Sequence, residues 1–136
     1  GNDVIYISLG TAVQNAAGFS CYDYIVEAFK DTEHKVLISA GFGKAEELTA
    51  KGLPKNIIAK SWVPQLKVLE HSKLFITHAG AGGMMESLSF AVPMIAVPNF
   101  ADQPINAGVI EKLNVGKWLK DQSPENIKKV AEEILG

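Results

Sequence analysis

The sequence holds a single cysteine, Cys21, among its 136 residues. A lone thiol cannot close an internal disulfide. That excludes the disulfide-stapled secreted scaffolds and makes a reducing compartment, the cytoplasm, the expected location. Long apolar runs are also lacking. No stretch approaches the roughly 18 residues that a membrane-spanning helix requires, and no signal-peptide pattern is visible. Charge of one sign is not in excess: 13 Lys and Arg face 15 Asp and Glu, a net charge of −2. This excludes a general nucleic-acid binder, which carries a basic patch. It does not exclude a phosphate ligand, because a few main-chain N–H groups bind a diphosphate without net positive charge. An initial methionine is lacking too. The chain opens Gly1-Asn2-Asp3 and enters an apolar run at once, which reads as a piece excised from a longer protein.

Hydrophobic residues are plentiful at 47%, enough to build the core of a single domain. They fall into short continuous runs separated by helical patterns. Val4–Leu9, Lys35–Ser39, Ile57–Ala59, Leu74–Thr77, Met94–Val97 and Val115–Leu119 read as six strands. Tyr22–Phe29, Lys44–Lys51, Gly83–Phe90 and Pro104–Leu113 read as helices between them. A final helix starts at Ser123-Pro124, an N-cap followed by proline at the first helical position, and carries Ile127, Val130, Ala131, Ile134 and Leu135 on one stripe. Strands that are apolar throughout are covered on both faces. The expected fold is therefore α/β, a Rossmann-like parallel sheet between helices. In such sheets ligands bind beyond the carboxyl ends of the strands.

Polar chemistry clusters there. Ser8-Leu9-Gly10-Thr11 follows the first strand, Trp62-Val63-Pro64-Gln65 the third, Thr77-His78-Ala79-Gly80-Ala81-Gly82-Gly83 the fourth, and Pro98 to Pro104, containing Asp102-Gln103, the fifth. Small residues from Ala79 to Gly83 allow close backbone approach, and the helix that follows offers free N–H groups and a partial positive charge. The combination suits phosphate, although a glycine-rich turn also serves tight packing. The pattern is neither a Walker loop nor the dinucleotide fingerprint, so a dinucleotide-binding domain is not supported. His78 is placed to donate to a phosphate oxygen. Glu86 suits the two hydroxyls of a ribose, or simply an acid early in a helix. Asp102 and Gln103 suit sugar hydroxyls, with Asp102 also a candidate N-cap. Trp62 suits either stacking on a base or core packing.

The string from Trp62 to Ala107, WVPQLKVLEHSKLFITHAGAGGMMESLSFAVPMIAVPNFADQPINA, resembles the donor-binding signature of UDP-sugar-dependent glycosyltransferases. That group includes the UDP-glucuronosyltransferases, the plant secondary-product enzymes and the bacterial macrolide glycosyltransferases. The opening IYISLGT and the phrase VPQLKVLEHSKLFITHAG are most similar to the macrolide group. The resemblance implies the C-terminal half of a GT-B fold, residues 1–136 forming a nucleotide-sugar donor domain. It assigns uracil stacking to Trp62, base-edge pairing to the Val63 backbone, and a place near base and ribose to Gln65. It gives diphosphate binding to His78 with the main chain of Gly80, Gly82 and Gly83, and the ribose to Glu86. Asp102 and Gln103 would hold the transferred sugar. Ser8, Gly10 and Thr11 would lie near the phosphates. Many relatives carry Asn-Ser where this chain has Gly82-Gly83, which puts donor affinity or identity in question, and Ala91 stands where glycine is usual.

The same resemblance implies inverting transfer of a hexose from a UDP-sugar to a hydroxyl of a small hydrophobic acceptor, with no metal and no other cofactor. The acceptor and a histidine base belong to an N-terminal domain outside this chain. No catalytic residue is expected here, since His34 and His71 do not read as site residues, and the isolated chain is expected to bind donor and transfer nothing. Two other readings stay open. One is the donor subunit of a lipid-carrier N-acetylglucosaminyltransferase; the other is a non-catalytic nucleotide-sugar-binding module.

Overall fold

The computed structural model describes residues 3–9, 18–41, 43–98 and 102–136. Six strands alternate with six helices: β1 Val4–Ser8, α1 Gly18–Phe29, β2 Lys35–Ser39, α2 Lys44–Ala50, β3 Ile57–Lys60, α3 Gln65–Glu70, β4 Ser72–Thr77, α4 Ala81–Ser89, β5 Met94–Ala96, α5 Gln103–Lys112, β6 Gly116–Trp118 and α6 Pro124–Leu135. The strands form one sheet in the order β3-β2-β1-β4-β5-β6, and every pairing is parallel. The chain starts in the middle, winds outward to β3, then returns across β1 to β4. The direction of winding reverses between β1 and β4, where an open α/β sheet leaves a crevice for ligand.

Successive side chains on a strand face opposite ways, so the continuous apolar runs build two cores. Ile5, Ile7, Val36, Ile38, Leu74, Ile76 and Ile95 meet Ile25, Phe29, Leu48, Ile127 and Ala131 of α1, α2 and α6 on one face. Tyr6, Phe75, Met94 and Ala96 meet Leu69, Met84, Ala107 and Ile110 of α3, α4 and α5 on the other. The strand pattern departs from the sequence expectation at the edges. The inner strands β4 and β5 are buried almost throughout, whereas β2, β3 and β6 alternate or are partly exposed, because fewer helices reach the margins of the sheet.

Helix ends follow local chemistry. Ser123 accepts a hydrogen bond from the Asn126 N–H at 3.3 Å, Pro124 follows at the first helical position, and the predicted stripe of α6 packs on the first core. The expected N-cap role of Asp102 is not realised. Its backbone lies at φ −85°, ψ 0° and its side chain makes no capping bond, whereas a capping residue takes extended geometry. Helix α4 starts at Ala81, two residues earlier than the glycine pair suggests. Among the described residues no helix is long and apolar enough to cross a membrane.

Candidate functional site

The strand register brings one row of residues to the same level. Lys60 pairs with Ser39, Ser39 with Ser8, Ser8 with Thr77, Thr77 with Ala96, and Ala96 with Trp118. These are carboxyl-terminal strand positions, and the candidate residues follow directly from them.

After β4 the chain turns sharply. Ala79 is buried and has φ 68°, a left-handed conformation that disfavours a side chain. Two bonds hold it there: its N–H donates to Thr77 Oγ1 at 3.1 Å, and its carbonyl accepts from Asn106 Nδ2 at 2.9 Å. Gly80 then takes the extended N-cap position of α4, with no side chain capping the helix. The first N–H groups of Ala81, Gly82 and Gly83 have no partner within the helix, and the helix dipole places partial positive charge at the same point. Such an arrangement can receive an anion.

The His78 ring lies over this helix start. A Cβ built on Gly80 would stand 2.7 Å from His78 Nε2, so glycine is what admits the ring. At Gly82 an added Cβ meets nothing within 4 Å, and at Gly83 it makes ordinary contact with Phe75 Cε2 at 3.5 Å and Gln65 Nε2 at 3.8 Å. The glycine pair is therefore not demanded by packing. His78 Nδ1 is buried with no hydrogen-bond partner among the described residues. Burial holds the imidazole pKa below its ordinary value; the Ser8 backbone and the Asp102 charge pull the other way but do not outweigh it. The ring is thus chiefly neutral near pH 7, with one N–H to donate.

Beside the receptor, α3 and α4 are bridged by a polar chain. The Tyr6 hydroxyl donates to Gln65 Oε1 at 2.9 Å, and Gln65 Nε2 donates to Glu86 Oε1 at 2.5 Å. Glu86 is the sixth residue of α4, and no acid lies in the first turn, so a favourable helix-dipole position does not account for it. Trp62 is 71% exposed, which rules out core packing and leaves its ring face to solvent next to Val63, whose side chain is buried.

On the far side, Asp102 is exposed and Gln103 is buried at the start of α5. Asn106 Nδ2 also donates to Asp102 Oδ2 at 3.2 Å, so one amide ties the turn after β4 to the acid before α5. His34 and His71 lie just before β2 and β4, at the opposite end of the strands. Ser8, Trp62, Val63, Gln65, His78, Gly80, Gly82, Gly83, Glu86, Asp102 and Gln103 are all found at the carboxyl end of the sheet. Gly10 and Thr11 lie outside the described residues. Two contributors escape sequence reasoning. Tyr6 reads as a core aromatic within an apolar run. Asn106 sits in the phrase Asp-Gln-Pro-Ile-Asn-Ala, where helical spacing from Asp102 is the signal that points to it. Among the described residues no cluster of His, Cys, Asp and Glu suits a metal ion. A cavity of about 490 Å³, lined by Leu88, Val92, Pro93, Val115, Gly116 and Ile134 among others, opens at the amino ends of β5 and β6. It is mostly apolar, with Asn114, Lys117 and Glu133 also on its wall, and it is separate from this site.

Known proteins share this fold and sequence. The family model described as "UDP-glucoronosyl and UDP-glucosyl transferase" matches residues 1–123. The chain is 37% identical over 134 residues to the uncharacterized UDP-glucosyltransferase YdhE of Bacillus subtilis (strain 168), covering 97% of this chain and 33% of that protein. It is 40% identical over 116 residues to the oleandomycin glycosyltransferase of Streptomyces antibioticus, covering 85% and 26% respectively. Among solved structures, the kitacinnamycin glycotransferase superposes with a TM-score of 0.86 at 33% identity, over 98% of this chain and 35% of that one. A UDP-glucose:anthocyanidin 3-O-glucosyltransferase, solved in complex with UDP, gives 0.83 at 29% identity, over 98% and 31%. The chain spans about a third of the length of such relatives. Its sheet is the α/β, Rossmann-like type of the GT-B glycosyltransferases. With its sequence matched from the first strand through Ser123, the chain belongs to the UDP-glucoronosyl and UDP-glucosyl transferase family.

Proposed function

We propose that residues 1–136 are the nucleotide-sugar donor domain of an inverting glycosyltransferase that moves a hexose from a UDP-sugar to a hydroxyl of a small acceptor. The observation that carries this reading is the 2.5 Å bond between Gln65 and Glu86. It joins the start of α3, three residues after the exposed indole, to a carboxylate on α4, the helix with the uncapped start, so partners for base, ribose and phosphates belong to neighbouring segments. Trp62 stacks on uracil, with the Val63 main chain at the base edge. Glu86, oriented by Gln65, accepts from the ribose hydroxyls. His78 and the N–H groups at Gly80, Gly82 and Gly83 hold the diphosphate, with Ser8 at the end of the first strand beside them; Gly10 and Thr11 are assigned to the phosphates from the sequence alone. Asp102 and Gln103 hold the sugar.

The chemistry asked of these groups is electrostatic. Departure of UDP develops negative charge on the diphosphate, and preoriented N–H groups, the helix dipole and the His78 ring stabilise it there. No metal is required by this arrangement. A base for the acceptor hydroxyl is assigned to a second domain outside these residues, as is the acceptor site. The names of relatives that act on oleandomycin and anthocyanidin support a small-molecule acceptor. The isolated chain therefore binds UDP-sugar without transferring it. Incubation with UDP-glucose and a panel of small hydroxylated acceptors tests this: no glycoside forms on the account given, and turnover by this chain alone would contradict it.

A further inference from the structure

We infer that Tyr6 is a positioning residue for ribose recognition, its hydroxyl fixing the Gln65 amide and, through it, the Glu86 carboxylate. The inference rests on the donor-site reading above and extends it to a residue that touches no ligand.

Tyr6 is 1% exposed, in the middle of β1. Its ring lies flat against Phe75 of β4, with centroids 5.0 Å apart and planes within 8°. That stack leaves the phenol little freedom, and its hydroxyl reaches Gln65 Oε1 at 2.9 Å. The direction of the bond is decided by what lies beyond. A carboxylate only accepts, so the side of the amide that faces Glu86 at 2.5 Å must be the NH₂. The carbonyl oxygen must then face Tyr6, and the phenol must donate. Burial favours the neutral phenol: it raises the pKa to about 12, against the opposing pull of the Ser8 and Ser39 hydroxyls. The donor is permanent at any physiological pH. Glu86 sets the amide orientation, and Tyr6 braces the far end of the same amide, so that its N–H stays directed at Glu86.

The consequence falls on Glu86. With Oε1 held by Gln65, the carboxylate is directed from one side, and Oε2 can accept from a ligand. Phe75, the partner of Tyr6, also lies beneath Gly83 in the anion receptor, so one aromatic pair supports both halves of the site. Without the phenol, the amide is held at one end only and the carboxylate is less firmly directed. Ribose hydroxyls then gain no more from Glu86 than from bulk water.

Calorimetric titration of the 136-residue chain with UDP and with 2′-deoxy-UDP tests this, alongside Tyr6→Phe, which keeps the aromatic stack. The unsubstituted chain is expected to prefer UDP by about tenfold or more, as for a hydrogen bond to a charged acceptor. Tyr6→Phe is expected to reduce that preference by roughly three- to tenfold. A merely structural role for Tyr6 would weaken both ligands equally and leave the ratio unchanged, which overturns the inference. Should Tyr6→Phe fail to fold, Gln65→Met cuts the same chain nearer the surface, and a retained ratio there overturns it as well. UDP binding without any preference in the unsubstituted chain overturns the inference and leaves the donor site standing. Absence of UDP binding overturns both.

Discussion

The side-chain amide of Asn106, on α5, donates to the main-chain oxygen of Ala79, 2.9 Å away. Ala79 holds a left-handed backbone that no alanine adopts without compensation, and Asn106 supplies part of that compensation from another helix. The same amide reaches Asp102 at 3.2 Å, so the turn that starts the anion receptor and the acid assigned to the sugar share one anchor. Asn106→Ala is expected to lower stability by about 1–2 kcal/mol, because it leaves a buried carbonyl unpaired. It should also weaken UDP-glucose more than UDP, since Asp102 is released as well. Denaturant unfolding and paired titrations read the two effects.

His78 gives a pH dependence of definite sign. Its folded pKa lies below its ordinary value of 6.5 because of burial. Between the two values the unfolded chain binds more protons than the folded one. The stability contribution is thus intact above about pH 6.5 and is lost as the pH falls below it through the folded pKa. Denaturant midpoints between pH 8 and pH 5 should fall on the acid side, with a smaller slope in His78→Gln. A bound diphosphate has the opposite effect on the ring, favouring its charged form. UDP-glucose affinity is therefore expected to increase as the pH drops from 8 toward 6, and this gain should vanish in His78→Gln.

Gly80 and Gly82 should not behave alike. Gly80→Ala drives a Cβ to 2.7 Å from His78 Nε2; the ring must swing away, and UDP affinity should fall about tenfold or more. Gly82→Ala points into open space near the start of α4. It should raise stability by about 0.4–1 kcal/mol through the unfolded state and leave UDP affinity nearly unchanged. Thermal melts and titrations of the two variants make the contrast.

Trp62 is exposed and contributes little packing. Trp62→Ala should therefore change stability by less than about 0.5 kcal/mol. If the indole carries the uracil, the same change should cost roughly 1–3 kcal/mol of uridine-nucleotide affinity. A large loss of stability with unaltered binding would assign Trp62 to the fold and not to the ligand.

Much of this architecture was readable in advance, and the reasons are physical. Six short apolar runs read as strands, and the observed sheet contains six, all parallel, although β2, β3 and β6 are not covered on both faces. The stripe of α6 and the Ser123 cap depend on local spacing alone, and both stand as expected. Residues that follow strands, such as His78 and Gln65, were legible because a parallel sheet collects them at one end. Contacts between distant segments were not. Nothing in the spacing of Tyr6 and Gln65, 59 residues apart, announces their hydrogen bond, since it depends on which helix covers which strand. Asp102 looked like a cap because its residue type suits one, yet its side chain turns to Asn106. By residue type Trp62 suits either a base or the core, and its exposure separates the two.

The most direct test of the donor-site reading is a calorimetric titration of the chain with UDP and UDP-glucose, repeated with His78→Ala. Saturable binding of both ligands, weakened at least severalfold by His78→Ala, is the predicted result. No saturation at millimolar ligand, or equal affinity in the presence and absence of the imidazole, would contradict a diphosphate site at the start of α4.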